Sequence, residues 1–404
     1  MRHHNRILLI AGILLVATTL RAPFTIIAPL LEGLQKDYQL SATQVGLLIT
    51  GPVLAFAAVS PFAAGLARRW GIERTLFGSL AVITAGVLVR AGGGVVALYV
   101  GTIIVGTGIA LGNVLLPSLL KRDFPTKVAA LTALYVLTMG VAAAIGSALV
   151  SPLVDTLHWD WRQVSRVPLL LVGLAAMFWL PQLTSATTPA ATTMDGAVPT
   201  VMWHSPLAWQ VTAYFGLDCF LYYVGVSWLP AILRDTGGYS VAQAASLHGL
   251  LLLATALPGI VLIPLAPRLR DQRAVAAVLA LCMSIGLLGL VLVPAHAPVW
   301  ILFFGAGAGG GLILGLALIG LRTAHAHDAA ALSGMAQCLG YLFSSAAPPL
   351  AGKAMELAGS WHVPLTVCAG LGVVMAYVGT LAGRHLQIGR PAPSVALARM
   401  SNPT

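Results

Sequence analysis

Between Ile7 and Leu31 the chain carries a single charge, Arg21, and apolar runs of this kind recur along all 404 residues. They lie at roughly 7–31, 42–66, 75–93, 95–119, 128–152, 164–183, 206–232, 241–266, 273–294, 298–321, 329–352 and 361–383. About twenty such residues cross the hydrocarbon core of a bilayer. In hydrocarbon every backbone N–H and C=O must be satisfied within its own segment, so each run reads as a helix. The expectation is an all-α membrane protein of twelve transmembrane helices. Charged residues make up only 8% of the chain, against about 25% in a soluble protein, which excludes water as the solvent for most of its surface.

The net charge is +10, but its distribution points to a membrane rather than to nucleic acid. With a cytoplasmic N-terminus, fifteen of the 22 Lys and Arg fall on the inner side and six in outer segments. That bias predicts both termini inside. The four cysteines all lie in apolar runs without metal-type spacing and read as small buried hydrophobes. The first run is too long for a cleaved signal and reads as the retained first helix. Residues 184–205, "TSATTPAATTMDGAVPTVMWHS", hold no Lys or Arg. Their Thr, Ala and Pro content reads as a cytoplasmic linker between two six-helix halves, 1–183 and 206–404.

The halves echo each other at an offset of about 200. "YQLSATQVGLL" at 38–48 matches "GYSVAQAASL" at 238–247, with Ser41 and Gln44 on Ser240 and Gln243. "PFAAGLARR" at 61–69 matches "PLAPRLRDQ" at 264–272, and "LLKRDFP" falls near "IGLRTAH". A parallel repeat of this type is the build of carriers whose site lies at the midplane between halves. Together with these echoes, "LRAPFTIIAPLL", "LARRWGIERTLF", "GNVLLPSLLKRDFP", "SPLAWQVT" and "AALSGMAQCLGYL" resemble the cyanate/2-nitroimidazole transporter family of the major facilitator superfamily, closest to its nitroimidazole branch. The resemblance runs from about residue 5 to 385. It implies a bacterial inner-membrane carrier for a small solute, working by alternating access. Arg68 stands where the superfamily's loop motif normally has Asp. Arg68, Arg69 and Asp123 are the expected inner gate, with Asp123 as the replacement carboxylate.

Arg21 sits near the middle of the first run. A central arginine costs roughly 2.5–3.5 kcal/mol on insertion scales, so it must face protein or a wet cavity. Its planar fork of donors suits carboxylate, nitro or cyanate oxygens. Thr18 and Thr25 extend it into a polar stripe on an unbroken helix. Asp218, facing the first helix across the cavity by the resemblance, is expected to pair with Arg21 or to carry a coupling proton. Asn113, Tyr222, His248 and Gln337 complete the expected substrate contacts, each weighed against a packing role.

These readings predict proton-coupled uptake of a 2-nitroimidazole-like compound or a small anion such as cyanate. The partners expected are that solute, lipid and protons, with the chain a monomer and no nucleic acid bound. No cofactor or metal motif stands in the sequence. An enzyme is disfavoured because HExxH, GxSxG and paired carboxylates are missing. A proton-antiport exporter is the nearest alternative. The fifth run reads "GVAAAIGSALVSPL" and lacks the Gly-Pro signature of such antiporters.

Overall fold

The computed structural model describes residues 3–388 except 31–33, 35–36, 41, 151, 185–201, 266–268 and 270. Most of the expected linker, including 185–201, and the tail beyond 388 lie outside the described residues. So do Ser41, Lys36, Arg268 and Arg270.

The described chain is helical throughout, its single β contact being the isolated bridge between Thr323 and Ile388. The helices are α1 (His3–Thr19), α2 (Ala22–Thr25), α3 (Ala42–Trp70), α4 (Ile72–Arg90), α5 (Val95–Asp123), α6 (Val128–Ala148), α7 (Trp161–Arg166) and α8 (Pro168–Thr184). Then follow α9 (Pro206–Gly237), α10 (Val241–Ala254), α11 (Leu257–Leu265), α12 (Arg273–Leu292), α13 (Ala297–Leu321), α14 (Ala326–Ser345), α15 (Ala347–Ala358) and α16 (His362–Ala382).

Local chemistry sets the ends. Ser205 caps α9, with Pro206 at its first position. Reciprocal capping boxes open α7 (Asp160 and Gln163) and α10 (Ser240 and Gln243). Gly238, at φ 65°, closes α9 in the left-handed region where a side chain would be strained. Large apolar side chains such as Phe62, Val96, Leu170, Ile260 and Leu357 face outward, the surface a lipid solvent demands.

Eleven stretches among the described residues are long and apolar enough to cross a membrane. The eleventh expected segment, 329–352, is absent from these and is instead two helices, α14 and α15, meeting at Ala346 ahead of Pro348 and Pro349. Buried Ser333, Gln337, Tyr341 and Ser344 lower the hydropathy of α14. The segment at 241–266 also divides, into α10 and α11, just before Pro258. The first segment breaks after Thr19, one turn before Pro23.

Close packing at glycines repeats at the 200-residue offset. A Cβ on Gly86 would lie 2.6 Å from the Val105 nitrogen, joining α4 to α5. One on Gly286 would lie 2.7 Å from the Phe304 nitrogen, joining α12 to α13. Gly108 and Gly307 make the same approach from the partner helices, at 2.6 and 2.5 Å from Ile83 and Met283. Small residues let backbones meet where no hydrophobic force drives helices together. Contacts between early and late helices run through α3 and α5 against α14, and through α6 against α11 and α13.

Candidate functional site

A cavity of about 940 Å³ opens between these early and late helices. It reaches from the middle of the bundle toward Ala148 at the end of α6 and Ser246 in the second turn of α10. At the opposite end the bundle is shut. Ser118 of α5 donates to the Ala326 carbonyl at 2.6 Å, and a Cβ on Gly334 would lie 3.0 Å from the Ser60 carbonyl.

Arg21 lines this cavity, and it does so from a break rather than from a helix face. Pro23 has no N–H, so the ladder fails and the chain turns at Leu20 and Arg21 before resuming as α2. The expected stripe is cut by this turn. Thr25 lines the cavity, whereas Thr18 bonds back to the Leu15 carbonyl at 2.7 Å. The guanidinium donates to the Tyr222 hydroxyl at 3.4 Å and stands 5.9 Å over that ring. Tyr223, Tyr341 and Phe24 complete an aromatic wall.

Asp218 lines the same cavity, but no ion pair joins it to Arg21 among the described residues. It is 1% exposed, and its Oδ1 has no hydrogen-bond partner among the described residues. The carboxyl occupies a niche that exists because residue 311 is glycine: a Cβ there would collide with Oδ1.

Asn113, Tyr222 and His248 also line the cavity, while Gln337 does not. Gln337 is fully buried, and its Nε2 donates to the Asn113 carbonyl at 3.1 Å and to Ser333 Oγ at 2.8 Å. Pro117 explains the first bond. A proline in mid-helix leaves the carbonyl four residues earlier without its main-chain donor, and here that carbonyl is Asn113's. His248 answers the same need. Pro230 frees the Val226 carbonyl, and His248 Nε2 lies 3.0 Å from it.

At the shut end Asp123 engages Arg122 through two contacts of 2.8 Å, and Arg122 reaches Glu73 at 2.7 Å. Arg68 and Arg69 are exposed, and among the described residues no ion pair joins either to Asp123. The carboxylate partner is therefore Arg122, which lies on α5 beside Asp123, while Arg68 and Arg69 project from the last turn of α3 into solvent. Two hundred residues on, Arg322 takes the place of Arg122. It donates to Gln272 Oε1 and to the carbonyls of Ala382 and Gly383. Burial pushes its guanidinium down to about 10, with Asp271 acting the other way.

One buried cation escaped the sequence reading. Arg90, one of the six cations assigned above to outer segments, is 0% exposed at the end of α4. It donates to the Pro23 carbonyl at 2.8 Å and to that of Ser165 at 3.3 Å. No local pattern marks it, since its partners lie 67 and 75 residues away.

Residues 13–348 match the model of the Major Facilitator Superfamily. The chain is 51% identical to the 2-nitroimidazole transporter of Escherichia coli (strain K12), over 95% of this chain and 97% of that one. It is 26% identical to the cyanate transport protein CynX of the same strain, over 86% and 90%. Its fold superposes on that of FucP, a superfamily transporter solved in the outward conformation. The TM-score is 0.74 at 12% identity, covering 93% of this chain and 98% of that one.

Proposed function

The chain belongs to the Major Facilitator Superfamily, and we propose that it carries a 2-nitroimidazole-like compound, or a small anion such as cyanate, by proton-coupled uptake. It is a membrane transporter for a small molecule, not an enzyme. The observation that carries the finer reading is the cation at the break. Arg21 faces an aromatic-walled cavity, its side chain held, among the described residues, by a single long hydrogen bond to Tyr222. A guanidinium fork meets the paired oxygens of a nitro group or an anion, and Tyr222, Tyr223 and Tyr341 offer flat faces to a ring. The relative at 51% identity is named for such a ring.

Asp218 is the proposed proton carrier. Removing a carboxylate from water without a partner costs several kcal/mol, and a proton removes that cost. Loading and unloading the proton then biases which end of the cavity is shut. The proposed location is the bacterial inner membrane with both termini cytoplasmic, a reading that the excess of Lys and Arg at that side supports. The cavity then faces outward.

The test is binding of 2-nitroimidazole and of cyanate to purified protein, wild type beside Arg21→Ala. Saturable binding of at least one, lost in a folded variant, is expected. Equal binding by the variant removes Arg21 from the site. Export by proton antiport uses the same groups with the opposite flux. In proteoliposomes, an imposed pH gradient that drives the solute against the proton movement would establish export instead.

A further inference from the structure

His248 is a hydrogen-bonding group whose chemistry the fold has fixed. Pro230 deprives the Val226 carbonyl of its donor four residues on, and His248 Nε2 supplies one at 3.0 Å. A carbonyl oxygen only accepts, so Nε2 carries the ring proton. In the neutral imidazole Nδ1 is then a bare acceptor. Nδ1 has no partner among the described residues. It is also not among the unpaired polar atoms sealed from solvent, and His248 lines the cavity. A solute in that cavity therefore meets a lone pair that no protein donor occupies.

Arg21 presents donors, whereas His248 presents an acceptor. We infer that His248 is a specificity-determining residue, and that the site selects a planar ring bearing its own N–H donor together with an acceptor group. Rings or anions without that donor leave Nδ1 unanswered once water is displaced, and an unmade hydrogen bond of this kind discriminates. The inference rests on the cavity being the substrate site.

The test compares 2-nitroimidazole with 1-methyl-2-nitroimidazole, by calorimetric binding to the purified full chain. Wild type is expected to bind the N–H ring about tenfold more tightly, the effect of one hydrogen bond. His248→Gln can still donate to the Val226 carbonyl and accept through its own, so it keeps the preference. His248→Phe keeps the size and loses the acceptor, so the two rings bind within about twofold. Equal binding by wild type overturns the inference, as does a preference that survives His248→Phe, which would be steric. Failure of wild type to bind either ring also overturns it. Arg21→Ala, measured alongside, tests the site itself: if it binds 2-nitroimidazole as wild type does, the site reading fails, whatever the two rings show.

Discussion

If Gln337 is recruited by the carbonyl that Pro117 frees, its contribution must depend on Pro117. Gln337→Leu removes the Nε2 bond to the Asn113 oxygen, 3.1 Å long and buried. A hydrogen bond of this kind contributes about 0.5–1.5 kcal/mol net, and leaving its buried acceptor unpaired costs a further ~1–3 kcal/mol. Pro117→Ala restores a main-chain N–H at 117 that can answer the same carbonyl. In that background only the first term is lost. The coupling between the two substitutions is then about 2 kcal/mol, roughly thirtyfold in an equilibrium constant. The loss of the Ser333 contact is common to both backgrounds and cancels.

The equilibrium at stake is opening of the shut end, because Gln337 and Asn113 stand on opposite sides of the cavity's closed face. Spin labels at Thr126 and His385, both exposed at that end, report it as a change in the distance distribution. Gln337→Leu alone is expected to raise the open-to-shut ratio by about one to three orders of magnitude. In the Pro117→Ala background it should raise the ratio only severalfold. An equal shift in both backgrounds refutes the proline account and leaves Gln337 as ordinary packing. No shift in either means that this bond persists through opening.

Two further perturbations separate position from chemistry. Arg90→Met should speed amide exchange of residues 20–27 and weaken solute affinity about tenfold at unchanged maximal rate, because the Pro23 carbonyl loses its donor; Arg90→Lys should restore most of both. Exchange that rises evenly over the whole bundle would assign Arg90 to general stability instead. Gly311→Ala should drive the Asp218 carboxyl from its niche, at an overpacking cost of ~1–3 kcal/mol. Uphill accumulation should be lost while solute exchange persists, as in Asp218→Asn; accumulation at the wild-type level in Gly311→Ala counts against the niche.

The apolar runs were readable because length and hydrophobicity alone decide what crosses a bilayer. The interruptions were not, although each has a local cause in the sequence. Pro23, Pro258 and Pro348 end or divide helices that the hydropathy pattern carries straight through. Treating 7–31 as unbroken put Thr18 with Arg21, and the turn at Leu20 separates them. Gln337 looked like a ligand contact because it is polar at membrane depth. Its partner lies 224 residues away, yet the signal was present as Asn113 four residues before Pro117. Arg90 had no such signal, since its burial depends on the chain folding back at Pro23 and Ser165.

The same rule sorts the polar groups of the bundle interior. Gln337, His248 and Arg90 each give hydrogen bonds to main-chain carbonyls, two of which a proline has left without a helical donor. Glu73 and Arg122 pair with each other, and Arg322 is committed to Gln272 and two carbonyls. Arg21 and Asp218 stand apart among these charges. Among the described residues, one has a single long bond to a tyrosine hydroxyl, and the other has an oxygen with no partner. Charges cost most inside a membrane, so two that neither brace the backbone nor neutralise each other are retained for something that arrives. On the proposed reading, a solute at Arg21 and a proton at Asp218 would meet that requirement separately, so that each could be bound and released without breaking a pair that holds the fold together.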